Sequence, residues 1–132
     1  MSSYLNIYLK TRKKENVDSK YILFLTYSRN SELYQRVNEA GNFYSANGTK
    51  TQLTTDILSN IIDEVNRELI DSKDTLNTYR EFKSTDIESF LSLKKYIKDL
   101  TITMHKLSVL LDIAYECSYE YTDCEGLYCF ID

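Results

Sequence analysis

The chain of 132 residues contains no proline, no tryptophan, three glycines and a single histidine, and each shortage closes off a class of answer. Without proline, no residue forces a break in a helix, so long helical runs are permitted wherever apolar spacing supports them. Gly41, Gly48 and Gly126 are too scattered to form a glycine-rich phosphate loop. The lone His105 stands one step off an apolar ladder and reads as a flanking helix residue, not a general base. Paired carboxylates such as Asp63-Glu64 and Glu116/Glu120 fall on helical stretches, where such groups face water. No enzyme is expected. No stretch approaches the roughly 18 uninterrupted apolar residues that span a bilayer, and Met1-Ser2-Ser3-Tyr4 opens no secretory signal. The expectation is a cytoplasmic protein with no membrane partner.

Cysteine is also sparse: Cys117, Cys124 and Cys129 all lie in the last sixteen residues. An odd count in a chain with no secretory signal points to reduced thiols. Their gaps of six and four intervening residues miss the usual spacing of zinc ligands, so neither a metal nor another cofactor is expected.

Charge is divided unevenly. Residues 1–50 hold eight Lys/Arg against four Asp/Glu, and residues 51–132 hold eight against sixteen, which gives the net −4. No basic residue follows Lys106. Most of these charges read as solvated surface, although the opposition also suits contact between subunits or attraction of a phosphorylated ligand. The run Lys10-Thr11-Arg12-Lys13-Lys14 is basic, yet the acidic remainder opposes a polyanion. No basic face interleaved with aromatics appears, so no nucleic-acid polymer is expected. Twelve tyrosines are many for this length; they suit interfaces, or reflect an AT-rich coding sequence.

What is present is a pair of heptad ladders. Leu58, Ile62, Val65, Leu69, Ser72, Leu76 and Tyr79 step alternately by four and three. Phe90, Leu93, Ile97, Leu100, Met104, Leu107, Leu111 and Ala114 resume the rhythm after a polar break. Such spacing keeps one apolar seam turned toward a partner helix. The spacing predicts an antiparallel hairpin, its first helix from Thr54 or Thr55 to about Phe82. Thr85-Asp86-Ile87-Glu88 has the spacing of a capping box, so the second helix begins there and ends near Tyr115 to Ser118. Ile57 and Ile61, with Val109, Leu110 and Ile113, widen the apolar surface at one end of the hairpin. That end is the base on which a sheet packs, and Asp71 to Lys95 form a narrower tip.

Before the hairpin, Tyr4 to Lys10 alternates as a strand. Lys20 to Tyr27 is a second strand, denser in apolar residues and therefore expected to be the more central. A short helix capped by Asn30 or Ser31 carries Leu33, Tyr34, Val37 and Ala40 and stops at Gly41. Asn47-Gly48 predicts a hairpin between Phe43–Ala46 and Thr49–Leu53. Gly126 to Ile131 returns to the sheet as a last strand. The fold class is α+β: a small antiparallel sheet with one short helix, packed on the base of a long two-helix hairpin. Residues 1–132 form a single domain, in which 1–53 and 118–132 build the sheet and 54–117 the hairpin.

The best binding candidate is the junction after the second strand. Free N–H groups at a helix start favour an anion, Arg29 offers a bidentate fork, and Arg36 follows on the helix. Tyr27 and Tyr34 offer rings for stacking, Ser28 and Asn30 offer polar groups, and Arg12 is a further cation. The structural alternative is that Ser and Asn here are caps and that Arg29 pairs with Glu32 or with an acid of the tail.

Tyr4-Leu5-Asn6-Ile7-Tyr8-Leu9, followed by Thr26-Tyr27-Ser28-Arg29-Asn30-Ser31-Glu32-Leu33-Tyr34, resembles small uncharacterised bacteriophage proteins, notably those of phages of gut bacteria. The resemblance spans most of the chain and implies a two-strand start before a long acidic helical hairpin, with no assigned activity. A separate resemblance, at the level of fold alone, is to phage anti-defence proteins of the Thoeris-countering type. These sequester cyclic nucleotide immune signals between subunits. Together the resemblances imply a self-associating, non-catalytic accessory protein, a dimer or higher, that binds a host protein or a small phosphorylated ligand. The rival expectation is a virion or assembly component that docks through its helices.

Overall fold

The computed structural model describes residues 3–82, 86–119 and 122–132. The alternation read at the N-terminus becomes strand β1 (Tyr4–Thr11), and β2 (Tyr21–Ser28) pairs with it antiparallel. After β2 come α1 (Glu32–Ala40), the two-residue strand β3 (Thr51–Gln52), the long helices α2 (Thr55–Phe82) and α3 (Ile87–Glu116), and β4 (Cys124–Ile131). The four strands form one antiparallel sheet in the order β2-β1-β4-β3.

The two ladders are the seam. Leu58, Val65, Leu69, Leu76, Leu100 and Leu107 are buried, and the remaining ladder positions of both helices are half-buried. At 1.5 Å per residue, helices of 28 and 30 residues extend roughly 42–45 Å, well past a sheet of eight-residue strands. The base of the hairpin meets the sheet: Leu58, Ile61, Leu107 and Leu110 share one core with Leu5, Ile7, Leu127, Cys129 and Ile131. Alternation along β1 and β4 sends those five sheet residues toward the helices and leaves Tyr8, Tyr128 and Phe130 on the opposite face. Helix α1 closes the same core through Leu33 and Val37.

Local signals set the helix starts. Ser31 Oγ accepts from Tyr34 N at 3.1 Å, so Ser31 and not Asn30 is the cap of α1. Thr54 Oγ1 accepts from Ile57 N at 3.2 Å. Asp86 accepts from Ser89 N at 2.8 Å and caps α3; Thr85, the expected first residue of that box, lies outside the described residues. Gly41 does end α1, but in extended conformation and for lack of space: a Cβ there would stand 2.8 Å from the Phe43 ring.

Three expectations are corrected. Strand β2 is an edge and not a central strand, because β4 comes back along the other side of β1. Its apolar density is therefore partly wasted on solvent, with Ile22 50% and Leu23 51% exposed. A bulge between Ile7 and Tyr8 skips Phe24 and turns Leu23 and Tyr21 to the face that bears Tyr8. Second, the Asn47-Gly48 turn forms, with Gly48 at φ 77°, but its flanks do not pair with each other. Tyr44 bridges Ile131 in parallel, and Thr51 and Gln52 pair with Cys129 and Tyr128, so both flanks line the edge of β4. The Asn47 carboxamide oxygen accepts from Thr49 N at 3.2 Å and from Thr49 Oγ1 at 2.7 Å, closing the turn without a hairpin ladder.

Third, Cys117 and Cys124 form a disulfide, against the expectation of reduced thiols; Cys129 is free and buried. Counting cysteines says nothing of proximity. The end of α3 and the start of β4 set the two Cα atoms 4.9 Å apart, inside the disulfide range.

Candidate functional site

The β2–α1 corner is held by backbone. Arg29 N donates to Ser3 O at 3.1 Å, and Ser31 N donates to Ser28 O at 3.0 Å, so the junction is a tight turn against the start of β1. Arg29 projects from this turn over the flank of α1. There it lines a cleft of about 310 Å³ with Ser3, Tyr34, Gln35, Asn38 and Glu39. Its guanidinium is exposed and makes no ion pair or side-chain hydrogen bond among the described residues. The alternative in which Arg29 pairs with Glu32 is not what forms: Glu32 Oε1 accepts from Arg36 Nε at 2.9 Å.

The seven residues singled out by sequence do not make one site. Arg29 and Tyr34 share the cleft just described. Asn30 lines a different one, of about 320 Å³, with Ser31, Glu32, Asp99, Thr103 and Lys106. Tyr27 turns onto the helix-facing side of the sheet, where Lys106 Nζ stands 4.9 Å from its ring centre, and burial raises its phenol above the usual value. Ser28 pairs with Tyr4 and is exposed.

Arg36 and Arg12 are structural. Arg36 is 8% exposed and ties α1 to α2. Besides Glu32 it meets Glu64 Oε1 at 3.7 Å and Glu68 Oε2 in direct contact. Burial by itself would lower the pKa of this guanidinium. The hydrogen bonds and charges of Glu68 and Glu32 outweigh it and push the pKa above its usual value. Glu68 also accepts from the Tyr96 hydroxyl at 3.4 Å. Arg12 stands at the far end of β1, nine residues from Ser3 and so roughly 30 Å away along the strand. There it binds carbonyls: Nε to Thr122 O at 2.9 Å, and Nη2 to Cys117 O at 2.8 Å and Tyr119 O at 3.0 Å. It caps the end of α3 and fastens the loop that carries the disulfide. Both arginines are satisfied from within the chain.

A feature not evident in the sequence lies on the sheet face away from the helices. Tyr8, Tyr21, Tyr128 and Phe130 touch one another there, with Lys10 and Lys50 above the rings. The expectation that no basic face is interleaved with aromatics is thus overturned by the sheet, which gathers these six residues from four distant segments. The alternation of Tyr8 with Lys10, and of Tyr128 with Phe130, was the available signal. It becomes a face only once β4 is known to lie beside β1.

Among the described residues no His/Cys/Asp/Glu group has the arrangement of a metal site, and no helix is long and apolar enough to cross a membrane. No protein-family model, no curated protein and no solved structure matches the chain.

Proposed function

We propose that the protein is a non-catalytic binding protein that acts stoichiometrically on a small phosphorylated ligand, held at the cleft between the β2–α1 turn and α1. One observation carries this reading: Arg29 is an exposed guanidinium with no carboxylate partner among the described residues, at the mouth of a polar cleft beside Tyr34. Arg36 and Arg12 both have internal acceptors, so Arg29 is the arginine of this set free to take a phosphate in a bidentate fashion. Gln35 and Asn38 add amide donors along the same flank. Glu39 on the same wall opposes a high negative charge and favours a mono- or diester over a free triphosphate.

The phage resemblance supplies the setting: an accessory protein acting in the host cytoplasm on a nucleotide-type immune signal, as a self-associated dimer or larger assembly. The test is thermal unfolding of wild type and Arg29→Ala with a panel of cyclic and linear nucleotides. At a ligand concentration about 100 times Kd the wild type gains about 2.7 kcal/mol; Arg29→Ala gains nothing. Equal protection of both proteins removes the site.

A structural role is favoured by a different observation. Ile70, Ile87, Leu91, Ile102 and Val109 are exposed along the outside of the hairpin. A virion or assembly component would bury them against other subunits, and no nucleotide would raise its melting temperature.

A further inference from the structure

An antiparallel sheet with helices on one side usually presents polar residues on the other. Here the open face carries four rings in mutual contact. Tyr8 stacks on Phe130 with centroids 5.9 Å apart and planes 16° apart. Tyr21 stands edge-on to Tyr8 at 6.3 Å and to Tyr128 at 5.4 Å. Lys50 Nζ lies 4.7, 5.0 and 5.6 Å from the centres of Tyr8, Tyr21 and Phe130. Lys10 Nζ lies 5.6 and 5.3 Å from Tyr21 and Tyr128. Lys10 has a carboxylate, Glu125, at 3.7 Å. Lys50 has only the Gly48 carbonyl at 3.3 Å and the ring faces, with no acid among the described residues.

We propose that this face binds single-stranded nucleic acid, unpaired bases lying on the rings while phosphates take the two ammonium groups. Stacking on aromatic side chains and a cation for the backbone are the two needs of a single strand, and the sheet supplies both on one face. The charges decide the occupant. A second copy of the face would bring two more lysines onto these two, which like-charge repulsion opposes. An acidic peptide would answer the lysines and leave the rings unstacked. A duplex already stacks its bases internally and cannot offer them. The face is separate from the Arg29 cleft, which lies beyond Ser28 at the other end of the β1–β2 pair, so it stands or falls without that site.

Fluorescence anisotropy of a labelled single strand of about ten nucleotides, at about 50 mM salt, tests the proposal. The wild type binds the strand and not the same sequence as a duplex. Tyr21→Ala weakens binding about tenfold, and Tyr21→Phe retains it, because the ring and not the hydroxyl stacks. Lys50→Gln weakens binding and flattens its salt dependence, because one fewer phosphate is neutralised. Arg29→Ala binds as the wild type does. Far-UV circular dichroism of each variant confirms the fold. The proposal is overturned if the wild type ignores the strand, binds the duplex equally, or binds no better than folded Tyr21→Ala and Lys50→Gln. A dimer that dissociates in Tyr21→Ala, with no strand bound by the wild type, also overturns it and assigns the face to self-association.

Discussion

At the scale of the residue, arginine separates what sequence tells from what it does not. Ser31 was legible as one of two candidate caps, and the start of α3 to within a residue of its cap Asp86, because a cap speaks to an N–H three residues ahead. Arg36 and Arg12 were not legible as clamps between elements, because the α2 partners of Arg36 lie 28 and 32 residues away and the acceptors of Arg12 lie 105 to 110 residues away. Arg36→Met should lower stability to urea by about 2 kcal/mol. That is less than for a sealed ion pair, since Glu68 and Glu64 keep 40% and 55% of their exposure and rehydrate once the cation is gone. Arg12→Ala should cost about 2 kcal/mol through the lost hydrogen bonds to Thr122 O and Cys117 O, Tyr119 O keeping its donors from Thr122, while leaving nucleotide protection unchanged. Were Arg12→Ala to lose ligand protection with its fold intact, the assignment of Arg12 to structure would fail.

Asp86 adds a pH signature at the same scale. Hydrogen bonds from Ser89 hold its carboxyl below the usual 3.8. A depressed folded value stabilises the fold above the unfolded pKa. That contribution begins to fade near 3.8 and is lost as pH drops through the lower folded value. Wild type should therefore lose its advantage over Asp86→Asn on acidification below about pH 4. A difference that stays constant down to pH 2 would show that the cap does not titrate as described.

At the scale of the element, the helices were readable almost to the residue and the sheet only in part. A heptad seam repeats its message every turn, and each ladder position from Leu58 to Ala114 is at least half-buried. Strand order carries no such redundancy. β2 reads as central because Ile22, Leu23 and Phe24 are apolar, but the place beside β1 goes to β4, a strand that begins 96 residues after β2 ends. Packing along the hairpin is unequal as well. Near the sheet, Ile61 and Leu110 add to the seam, while beyond Leu69 the buried apolar residue on α2 among those described is Leu76. Amide hydrogen exchange should therefore be slowest around Leu58–Val65 and Leu107–Leu110 and faster by orders of magnitude around Leu76 and Leu93. Uniform protection along both helices would mean that the tip is covered by a partner.

For the whole molecule, the fold presents two surfaces with separate chemistry, and only one was visible in the sequence. The Arg29 corner sits within a continuous stretch and could be named from sequence, and of its seven expected residues Arg29 and Tyr34 line the same cleft. The aromatic face draws on residues 8, 21, 50 and 128–130 and exists only in three dimensions. Thiol state reports on the whole fold too. Burial pushes the Cys129 thiol up to about 12, so the oxidised native protein should show no reactive thiol, and the same protein unfolded without reductant should show one. Reduction, or Cys117→Ser, should cost about 2.5 kcal/mol for a loop of this length. Three reactive thiols in the untreated unfolded protein would place the working molecule in its reduced form.

Binding without turnover is the centre of the account, and native mass spectrometry of the protein mixed with equimolar nucleotide tests it most directly. The account predicts that wild type carries one intact ligand per chain, still unhydrolysed after prolonged incubation, and that Arg29→Ala of identical oligomeric mass carries none. A ligand converted to product, or an equal adduct on both proteins, would contradict it.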